Sequence, residues 1–267
     1  MDHAARKHGI SQTFGDAAPS YDTIVPFFTT FGRALVAAAG IEAGDRVLDI
    51  ASGRGACTWP ALEATGPTGS VLALDLAPPM VAALADDLAA AGLAPPQAEA
   101  RLGDLEALDV PDASVDVVVC GFGIFLAPRI SVALTEVHRV LRPGGRFAAS
   151  TFVGGLGGFA WFGEIVGAVA PGTPAPSGTN LITADGLRGP LAAAGFAPPR
   201  VEAVSGRFAI PDVDALVAWY RSHGGRATME ALDDAQLAAF RILGAERLAA
   251  DDHELDQHAE LTVASRP

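Results

Sequence analysis

The sequence predicts an α/β fold built on a doubly wound, mostly parallel sheet. Short apolar runs alternate five times with segments of helical periodicity, and connections rich in Gly, Pro and Asp separate them. Strands and helices that alternate in this way are typical of a parallel sheet covered by helices on both faces. The run from Val115 to Cys120 is almost continuously apolar, as expected of a strand buried in the middle of such a sheet.

The amino-terminal part of the chain supplies a helix and the first three strands. Phe27, Phe31 and Leu35 recur at helical spacing before Gly40, which predicts a helix over residues 20–40. Gly and Pro residues separate the elements that follow, and a Pro pair opens one of the helices. The expected strands are 46–51, 70–75 and 97–102, and the expected helices between them are 55–65 and 78–92.

The alternation continues to residue 152 and then becomes irregular. We expect a strand over 115–120, a helix over 128–141 that ends at a Pro-Gly-Gly turn, and a strand over 146–152. The glycine-rich segment 154–158 predicts a hinge. The later elements are expected to be a loop at 171–176, a helix at 184–194, a strand at 200–209, a helical insertion at 212–250 and a last strand at 260–265.

The composition is that of a folded protein unsuited to binding polyanions. Half of the residues are hydrophobic, and 18 basic against 31 acidic side chains give a net charge of −13. Nucleic acids and anionic membrane surfaces are bound through clusters of Lys and Arg, so we expect neither as a partner. No run of about twenty apolar residues free of Gly, Pro and charge predicts a membrane span.

The cysteines and histidines indicate neither a metal site nor a disulfide. Cys57 and Cys120 lie within predicted core elements, where a reduced Cys behaves as a small hydrophobe. No Cys or His pair has metal-ligand spacing, so no metal is expected. The segment from Met1 to Gly15 lacks the apolar stretch of a secretory signal. These features favour a cytoplasmic protein, and they leave open whether it is a monomer or a homodimer.

The clearest functional pattern is a strand that runs into a turn of small residues. The first predicted strand leads into Ala51-Ser52-Gly53-Arg54-Gly55, and twenty positions later the next strand ends on Asp75. Small residues let a ligand approach the backbone, whose N–H groups are free at the start of a helix. A carboxylate at the end of the following strand can bind ribose hydroxyls. The arrangement predicts a cofactor that contains adenosine.

Further motifs follow in a fixed order along the chain. Tyr21-Asp22 precedes the first strand, Gly103-Asp104-Leu105-Glu106 follows the third, and segment 136–145 joins a helix to the fifth. With the turn of small residues, this ordered set resembles the class I S-adenosylmethionine-dependent methyltransferases. Within that family it is most similar to the ubiquinone/menaquinone-biosynthesis branch and its relatives in specialised metabolism. Ala51 stands where the family motif usually has its first glycine.

The resemblance covers residues 14–152 well, and 184–209 with 260–266 more loosely. It implies a Rossmann-like sheet that is mostly parallel with an antiparallel last strand. It also implies helical lid elements around a cofactor-binding domain. We expect an amino-terminal lid at residues 1–40 and the cofactor-binding domain at 41–267, with lid insertions at about 153–183 and 211–255.

The resemblance further implies S-adenosyl-L-methionine as the cofactor. Asp75 would bind the ribose hydroxyls, and Asp104 would accept a hydrogen bond from the adenine amino group. Asp49 suits contact with the ammonium group of the methionine part, or alternatively only orders the glycine turn. The residues expected to bind the cofactor are Tyr21, Asp49, Ala51, Ser52, Gly53, Gly55, Asp75, Leu76, Met80, Gly103, Asp104, Leu105, Cys120, Gly121 and Phe125.

The methyl acceptor is expected to be a small apolar or aromatic molecule, methylated on oxygen or carbon. Aromatic residues follow the fourth and fifth strands on the edge where ligands bind in open α/β sheets, and no basic cluster accompanies them to bind an anion. Tyr21 and His223 are the candidate catalytic residues, because a protonated nucleophile requires a base. The residues expected to contact the acceptor are Phe14, Phe28, Phe122, Phe152, Trp161 and Phe162.

Two other functions share part of this pattern. A nicotinamide-dependent oxidoreductase would have the same spacing from Gly55 to Asp75, but the turn lacks the third glycine of that fingerprint and Asp49 lies inside the first strand. A relative could also bind S-adenosylmethionine without transferring its methyl group, and act as a cyclase or a binding protein. The scarcity of candidate bases is compatible with this second alternative.

Overall fold

The computed structural model describes residues 2–153, 160–173 and 182–267. Its strands are β1 (Arg46–Ile50), β2 (Ser70–Asp75), β3 (Ala98–Leu102), β4 (Val115–Gly121), β5 (Leu141–Phe152), β6 (Arg200–Ala209) and β7 (Glu254–Ser265). Within these residues they form one sheet in the order β3-β2-β1-β4-β5-β7-β6. Strands β1 to β5 pair in parallel, and β7 is antiparallel to β5 and β6. The predicted sheet with an antiparallel last strand is confirmed.

Helices cover both faces of the sheet. They are α1 (His3–Ala17), α2 (Phe27–Ala39), α3 (Thr58–Thr65), α4 (Pro78–Ala90), α5 (Ile130–Val140), α6 (Ala160–Val169), α7 (Ala184–Ala193), α8 (Val213–Arg221), α9 (Arg226–Glu230) and α10 (Asp234–Ala250). Along β4, Val117 and Val119 pack with α2, α3 and α4, whereas Val118 and Cys120 pack with α5 and α7. Because successive side chains of a strand point to opposite faces, β4 is buried on both. The doubly wound arrangement is confirmed.

The helix predicted over residues 20–40 begins only at Phe27, so that prediction was wrong at its start. Asp22 adopts a left-handed conformation with φ 57°, which turns the chain before the helix. Its carboxylate accepts hydrogen bonds from the backbone N–H groups of Phe28 and Thr29, both at 2.8 Å. It therefore satisfies donors that the first turn of a helix leaves unpaired.

Strand β5 begins at Leu141, five residues before the predicted start. Leu141 pairs with Val115, and an irregularity of the ladder between Val115 and Val117 accommodates the Pro-Gly-Gly turn. The predicted hinge at 154–158 lies outside the described residues. The same holds for the part of the predicted loop at 171–176 that follows residue 173.

Strand β7 begins at Glu254 rather than at residue 260. Exposed and buried residues alternate from Glu254 onward, and this segment pairs with β6 over its whole length. The polar residues of the segment made it resemble a loop in the sequence. One of its inward positions is Gln257, whose burial the sequence pattern did not indicate.

Helices from both parts of the chain meet over one edge of the sheet. Helices α8, α9 and α10 lie between β6 and β7, where a helical insertion was predicted, and α10 packs against α6 and α8. Helix α1 packs against α4 and α9. Across the described ranges, none of the helices combines the length and apolar character of a membrane span, and no set of His, Cys, Asp and Glu side chains is placed to hold a metal ion.

Candidate active site

A large cavity lies at the carboxyl ends of the central strands. Its volume is about 1270 Å³, part of which is open to solvent. Strand β1 lies between β2 and β4, so the strand order reverses here, and ligands of open α/β sheets bind at such a point. Residues from α1, the turn before α2, α6 and the turn after α8 complete the wall.

Most of the predicted site residues line this cavity. They are Phe14, Tyr21, Phe28, Ala51, Gly53, Asp75, Leu76, Met80, Gly103, Asp104, Leu105, Gly121, Phe122, Phe125, Phe152, Phe162 and His223. Asp49 and Ser52 line a smaller cavity that shares several wall residues with the large one. Thus residues as far apart in the sequence as Phe14 and His223 surround one space.

Three predicted site residues line neither cavity. Gly55 has φ 87°, and a Cβ there would lie 2.7 Å from Leu84 Cδ1, so this glycine lets the turn pack against α4. Cys120 is fully buried inside the sheet. Trp161 packs edge-on against the ring of Tyr220, at 6.3 Å between the ring centroids, within the aromatic core.

Asp75 is held at the end of β2 by two backbone donors. The N–H of Gly53 donates to Oδ2 and the N–H of Ala77 donates to Oδ1, both at 2.8 Å. A carboxylate has about four acceptor positions, so two remain for a ligand. Burial raises the pKa of this carboxyl above its usual value. A fixed carboxylate at this place suits a pair of vicinal hydroxyl groups, such as those of a ribose.

The turn after β1 forms a cradle that side chains would fill. Gly53 has φ 53°, and a Cβ there would lie 3.4 Å from Cε1 of Tyr21. On the other side, a Cβ at Gly123 would lie only 2.4 Å from the Cβ of Ala51. The close approach of these chain segments requires small residues, and it leaves backbone groups accessible to a ligand.

Asp49 is a buried carboxyl group beside this cradle. The hydroxyl of Thr58 donates to its Oδ2 at 2.6 Å, while its Oδ1 is buried and has no hydrogen-bond partner among the described residues. Burial raises the pKa of Asp49 to about 7. A buried acceptor atom is costly when unsatisfied, so the site suits a cationic group such as an ammonium.

Helix α1 closes the end of the cavity that contains Asp104. The ammonium of Lys7 lies 2.6 Å from Asp104 Oδ2 and 2.7 Å from Glu106 Oε2. Ile10 and Ser11 of the same helix also line the wall. No role could be predicted for these residues, because no local motif marks them and 97 positions separate Lys7 from Asp104.

The opposite end of the cavity is aromatic. Tyr21 stacks on Phe28 with 4.5 Å between the ring centroids, and Phe122 lies 4.6 Å from Phe152. Tyr220 also lines the wall, although no sequence motif marks it. Burial raises the pKa of the Tyr21 hydroxyl well above its usual value, so this group stays protonated near neutral pH. This end of the cavity suits an apolar or aromatic molecule.

His223 belongs to the aromatic end and is buried. Its ring lies edge-on to that of Trp219, at 4.8 Å between the centroids. The backbone N–H of Gly225 donates a hydrogen bond to its Nδ1 at 3.3 Å. Burial lowers the pKa of His223 to about 3, so the imidazole is neutral at physiological pH.

The site fits S-adenosylmethionine on observations that are independent of the sequence motifs. Asp75 offers acceptors for ribose hydroxyls, the cradle at Ala51 and Gly53 admits a ligand against the backbone, and the buried Oδ1 of Asp49 suits an ammonium group. The aromatic end of the same cavity suits an apolar molecule.

Known proteins with similar sequences are methyltransferases. Residues 47–145 match the family model described as a methyltransferase domain. Nocamycin O-methyltransferase from Saccharothrix syringae is 33% identical over 246 residues, which cover 85% of this chain and 86% of that protein. Aklanonic acid methyltransferase DauC from Streptomyces sp. (strain C5) is 34% identical over 160 residues, which cover 60% of this chain and 72% of that protein.

A solved structure with the same fold is that of the [4+2]-cyclase SpnF. The TM-score is 0.56 at 19% identity, over 88% of this chain and 80% of the other. At this identity the likeness concerns the fold alone. The sequence relatives also establish the family, since the match covers most of their length. The chain belongs to the S-adenosylmethionine-dependent methyltransferases, and S-adenosylmethionine is its cofactor.

Proposed function

We propose that this enzyme methylates an oxygen or carbon atom of a small, neutral, apolar or aromatic metabolite. The observation that carries the proposal is the division of the cavity, with carboxylates at one end and aromatic rings at the other. Among the described residues of the aromatic end, none is charged. The names of two sequence relatives, which refer to nocamycin and aklanonic acid, support an acceptor from specialised metabolism.

The cofactor-binding roles follow from the positions of the carboxyl groups. Asp75 would hold the ribose hydroxyls, Asp49 would face the ammonium group, and Asp104 with the backbone of Leu105 would contact the adenine, since all four residues line the two cavities. Tyr21 lies against the cradle and would contact the methionine part. S-adenosylmethionine supplies a methyl group that is already activated by its positively charged sulfur.

The protein's contribution to catalysis is positioning and the exclusion of water. Phe28, Phe122 and Phe152 form an apolar wall that holds the acceptor next to the cradle. Holding two reactants in the correct geometry can lower a barrier by roughly 7–11 kcal/mol. Tyr21 stays protonated because its pKa is raised, and His223 is a weak base because its pKa is lowered to about 3. Neither side chain readily accepts a proton, so the enzyme acts on acceptors that lose a proton readily or need not lose one.

Transfer of a labelled methyl group tests the proposal. The enzyme is incubated with methyl-labelled S-adenosylmethionine and a panel of naphthols and hydroxyquinones, each paired with its sulfonated counterpart. We expect label in neutral members and at least tenfold less in the sulfonates, because an unpaired anion in an apolar site is costly. Binding of the cofactor without transfer to any neutral acceptor would contradict the proposal and favour a cyclase-like role.

The remaining expectations concern partners and location. The net charge of −13 supports a small molecule rather than a nucleic acid as the partner. The two cysteines are free and buried, which supports the cytoplasm as the compartment. Size-exclusion chromatography with light scattering distinguishes a monomer from a homodimer. Counting the thiol groups of protein purified under non-reducing conditions checks that both cysteines are free.

A further inference from the structure

Helix α1 turns one face toward the end of the cavity that contains Asp104. Lys7, Ile10, Ser11 and Phe14 all line the cavity, and their helical spacing places them on one face of α1. The hydroxyl of Ser11 donates a hydrogen bond to the carbonyl oxygen of Leu76 at 3.1 Å, which fixes this face beside the end of β2. The helix therefore brings the charged side chain of Lys7 to the wall of the site.

The ammonium group of Lys7 has one more hydrogen-bond donor than its protein partners use. Its Nζ lies 2.6 Å from Asp104 Oδ2 and 2.7 Å from Glu106 Oε2. Burial alone would lower the pKa of Lys7, but the hydrogen bonds to Asp104 and Glu106 raise it above its ordinary value. The group thus stays an ammonium with three N–H donors. Since 20% of the side chain is exposed, the third donor is available to a molecule in the cavity.

The carboxylate of Asp104 offers acceptor positions directly beside this donor. Its Oδ1 accepts from the backbone N–H of Glu106 at 2.9 Å, and its Oδ2 accepts from Lys7. A carboxylate has about four acceptor positions, so two remain for a ligand. A donor and an acceptor that lie side by side match a ligand edge on which an amino group lies next to an acceptor atom.

The charges around Lys7 balance one another. The side chain of Glu106 is 1% exposed, and it binds the guanidinium of Arg129 at 2.8 Å as well as Lys7. Two cations, Lys7 and Arg129, therefore face two carboxylates, Asp104 and Glu106. A group of charges that sums to zero favours neither an anion nor a cation, so this end of the cavity suits a neutral base that both donates and accepts hydrogen bonds.

We propose that Lys7 is a specificity-determining residue for the cofactor, and that its third N–H donates a hydrogen bond to a ring nitrogen of the adenine. This inference rests on the proposed placement of the adenine amino group at Asp104. Two acceptor nitrogens, N1 and N7, flank that amino group. The backbone of Leu105, which follows Asp104 directly, would face one of them, and Lys7 binds the other.

The ribose and adenine sites adjoin, so one adenosine can reach both. The backbone N–H of Gly103 donates to the carbonyl oxygen of Asp75 at 2.9 Å, which holds the ends of β2 and β3 together. A bound adenine displaces water from Lys7. A base without the ring nitrogen would leave the charged donor unsatisfied, and an unsatisfied charged group is costly. Lys7 therefore selects for the ring nitrogen as Asp104 selects for the amino group.

Analogues that lack one ring nitrogen measure this hydrogen bond. S-adenosylhomocysteine and its 1-deaza and 7-deaza analogues, in which a C–H group replaces N1 or N7, are titrated by calorimetry into the wild type and Lys7→Met. We expect each analogue to bind the wild type about tenfold more weakly than S-adenosylhomocysteine. In Lys7→Met one of these two penalties should disappear and the other should remain, which identifies the nitrogen that Lys7 binds.

Glu106→Gln is the matched control, because it loosens the attachment of α1 and keeps the donor. Glu106 binds Lys7 but does not line the cavity, and a Gln at this position still offers an oxygen to the ammonium. We expect this variant to bind all three ligands more weakly by the same factor, so that both penalties remain as in the wild type. The ratio of affinities therefore separates recognition of the base from the anchoring of the helix.

Two results would overturn the inference. In the first, the wild type binds both analogues as tightly as S-adenosylhomocysteine; this result needs no variant, so it tests the inference even if Lys7→Met does not fold. In the second, both penalties persist in Lys7→Met, which would show that Lys7 only holds the helix. These titrations contain no methyl acceptor, so a failure of the proposed function would appear separately, as the absence of label transfer from S-adenosylmethionine.

Discussion

Two carboxyl groups, the buried Asp49 and the half-buried Asp75, give the cofactor end of the cavity its chemistry. Asp75 is held by two backbone N–H groups, whereas Asp49 has one hydroxyl partner and one oxygen without a partner in the described part of the chain. Desolvation raises the pKa of both groups, and the nearby charge of Asp75 adds to the effect on Asp49. When these carboxyl groups are ionised and no cation is bound beside them, they therefore destabilise the folded protein.

This cost predicts a dependence of stability on pH. The pKa of Asp49 is about 7 in the folded protein, against 3.8 as its ordinary value, so the folded state binds more protons between these values. The contribution of Asp49 to the free energy of unfolding therefore falls as the pH rises from about 4 to about 7, and is level above. Asp49→Asn removes this dependence.

Denaturant unfolding of the ligand-free protein measures it. We expect the free energy of unfolding of Asp49→Asn minus that of the wild type to be larger at pH 8 than at pH 5, so that the variant gains stability relative to the wild type. Comparing the two pH values cancels any constant effect of the amide. The same offset at both pH values would contradict the raised pKa of Asp49.

Residues within local motifs could be predicted, and residues that act from a distance could not. Asp75 was predicted because it ends a strand at a fixed spacing after the glycine turn, and the structure places it in the cavity. Lys7 was missed because only the folded chain brings it to Asp104 and Glu106. The roles of these side chains toward the cofactor remain predictions.

At the scale of elements, the start of α2 couples a helix cap to the site. Asp22 caps this helix through Phe28 and Thr29, and the preceding residue Tyr21 stacks on Phe28. The helix predicted from the sequence reaches back to residue 20, because periodicity does not show where a cap turns the chain. The cap explains why an aromatic side chain is available beside the glycine turn.

Removal of this cap should lower both stability and cofactor affinity. Asp22→Ala is expected to lower the free energy of unfolding by about 1–2 kcal/mol and to weaken the binding of S-adenosylmethionine several-fold, because Tyr21 loses its position. Asp233→Ala is the matched control, since Asp233 caps α10 away from the cavity. Asp233→Ala should lower the free energy of unfolding by a similar amount and leave the affinity for S-adenosylmethionine unchanged. Equal effects of both variants on affinity would contradict the coupling.

Lys7 anchors helix α1 over the cavity through two ion pairs, one with each of two carboxylates. Lys7 bonds Asp104 and Glu106, and its side chain is largely buried. We expect Lys7→Met to increase amide hydrogen exchange in residues 3–17 and to speed the release of S-adenosylhomocysteine about tenfold, because the helix covers that end of the cavity.

The exposed pair of Arg33 with Glu63 provides the control for this prediction. Both side chains are more than half exposed, and such surface pairs contribute little. Arg33→Met should therefore change neither hydrogen exchange in α1 nor the release rate. Unchanged exchange of α1 in Lys7→Met, measured by mass spectrometry, would show that the ion pairs do not hold the helix.

At the scale of the whole molecule, the two halves of the chain differ in how far sequence patterns determine them. The bounds of the parallel strands β1 to β4 were predicted to within about one residue, because each is an apolar run bounded by turn residues, whereas β5 begins earlier than predicted. The first half of strand β7 was not predicted, since its exposed residues are polar and one of its three buried residues, Leu255, Gln257 and Ala259, is polar as well. The cover of the cavity depends on packing among α1, α6, α8 and α9, which no local pattern encodes.

The account depends on one claim, that the cavity binds S-adenosylmethionine with its ribose at Asp75. Calorimetric titration of the wild type, Asp75→Ala and the surface variant Glu63→Ala with S-adenosylmethionine and NAD⁺ tests it most directly. We expect the wild type and Glu63→Ala to bind S-adenosylmethionine equally and NAD⁺ not measurably. Asp75→Ala should bind S-adenosylmethionine at least tenfold more weakly, since it loses hydrogen bonds to a charged acceptor. Binding of NAD⁺, or full affinity for S-adenosylmethionine in Asp75→Ala, would contradict the account.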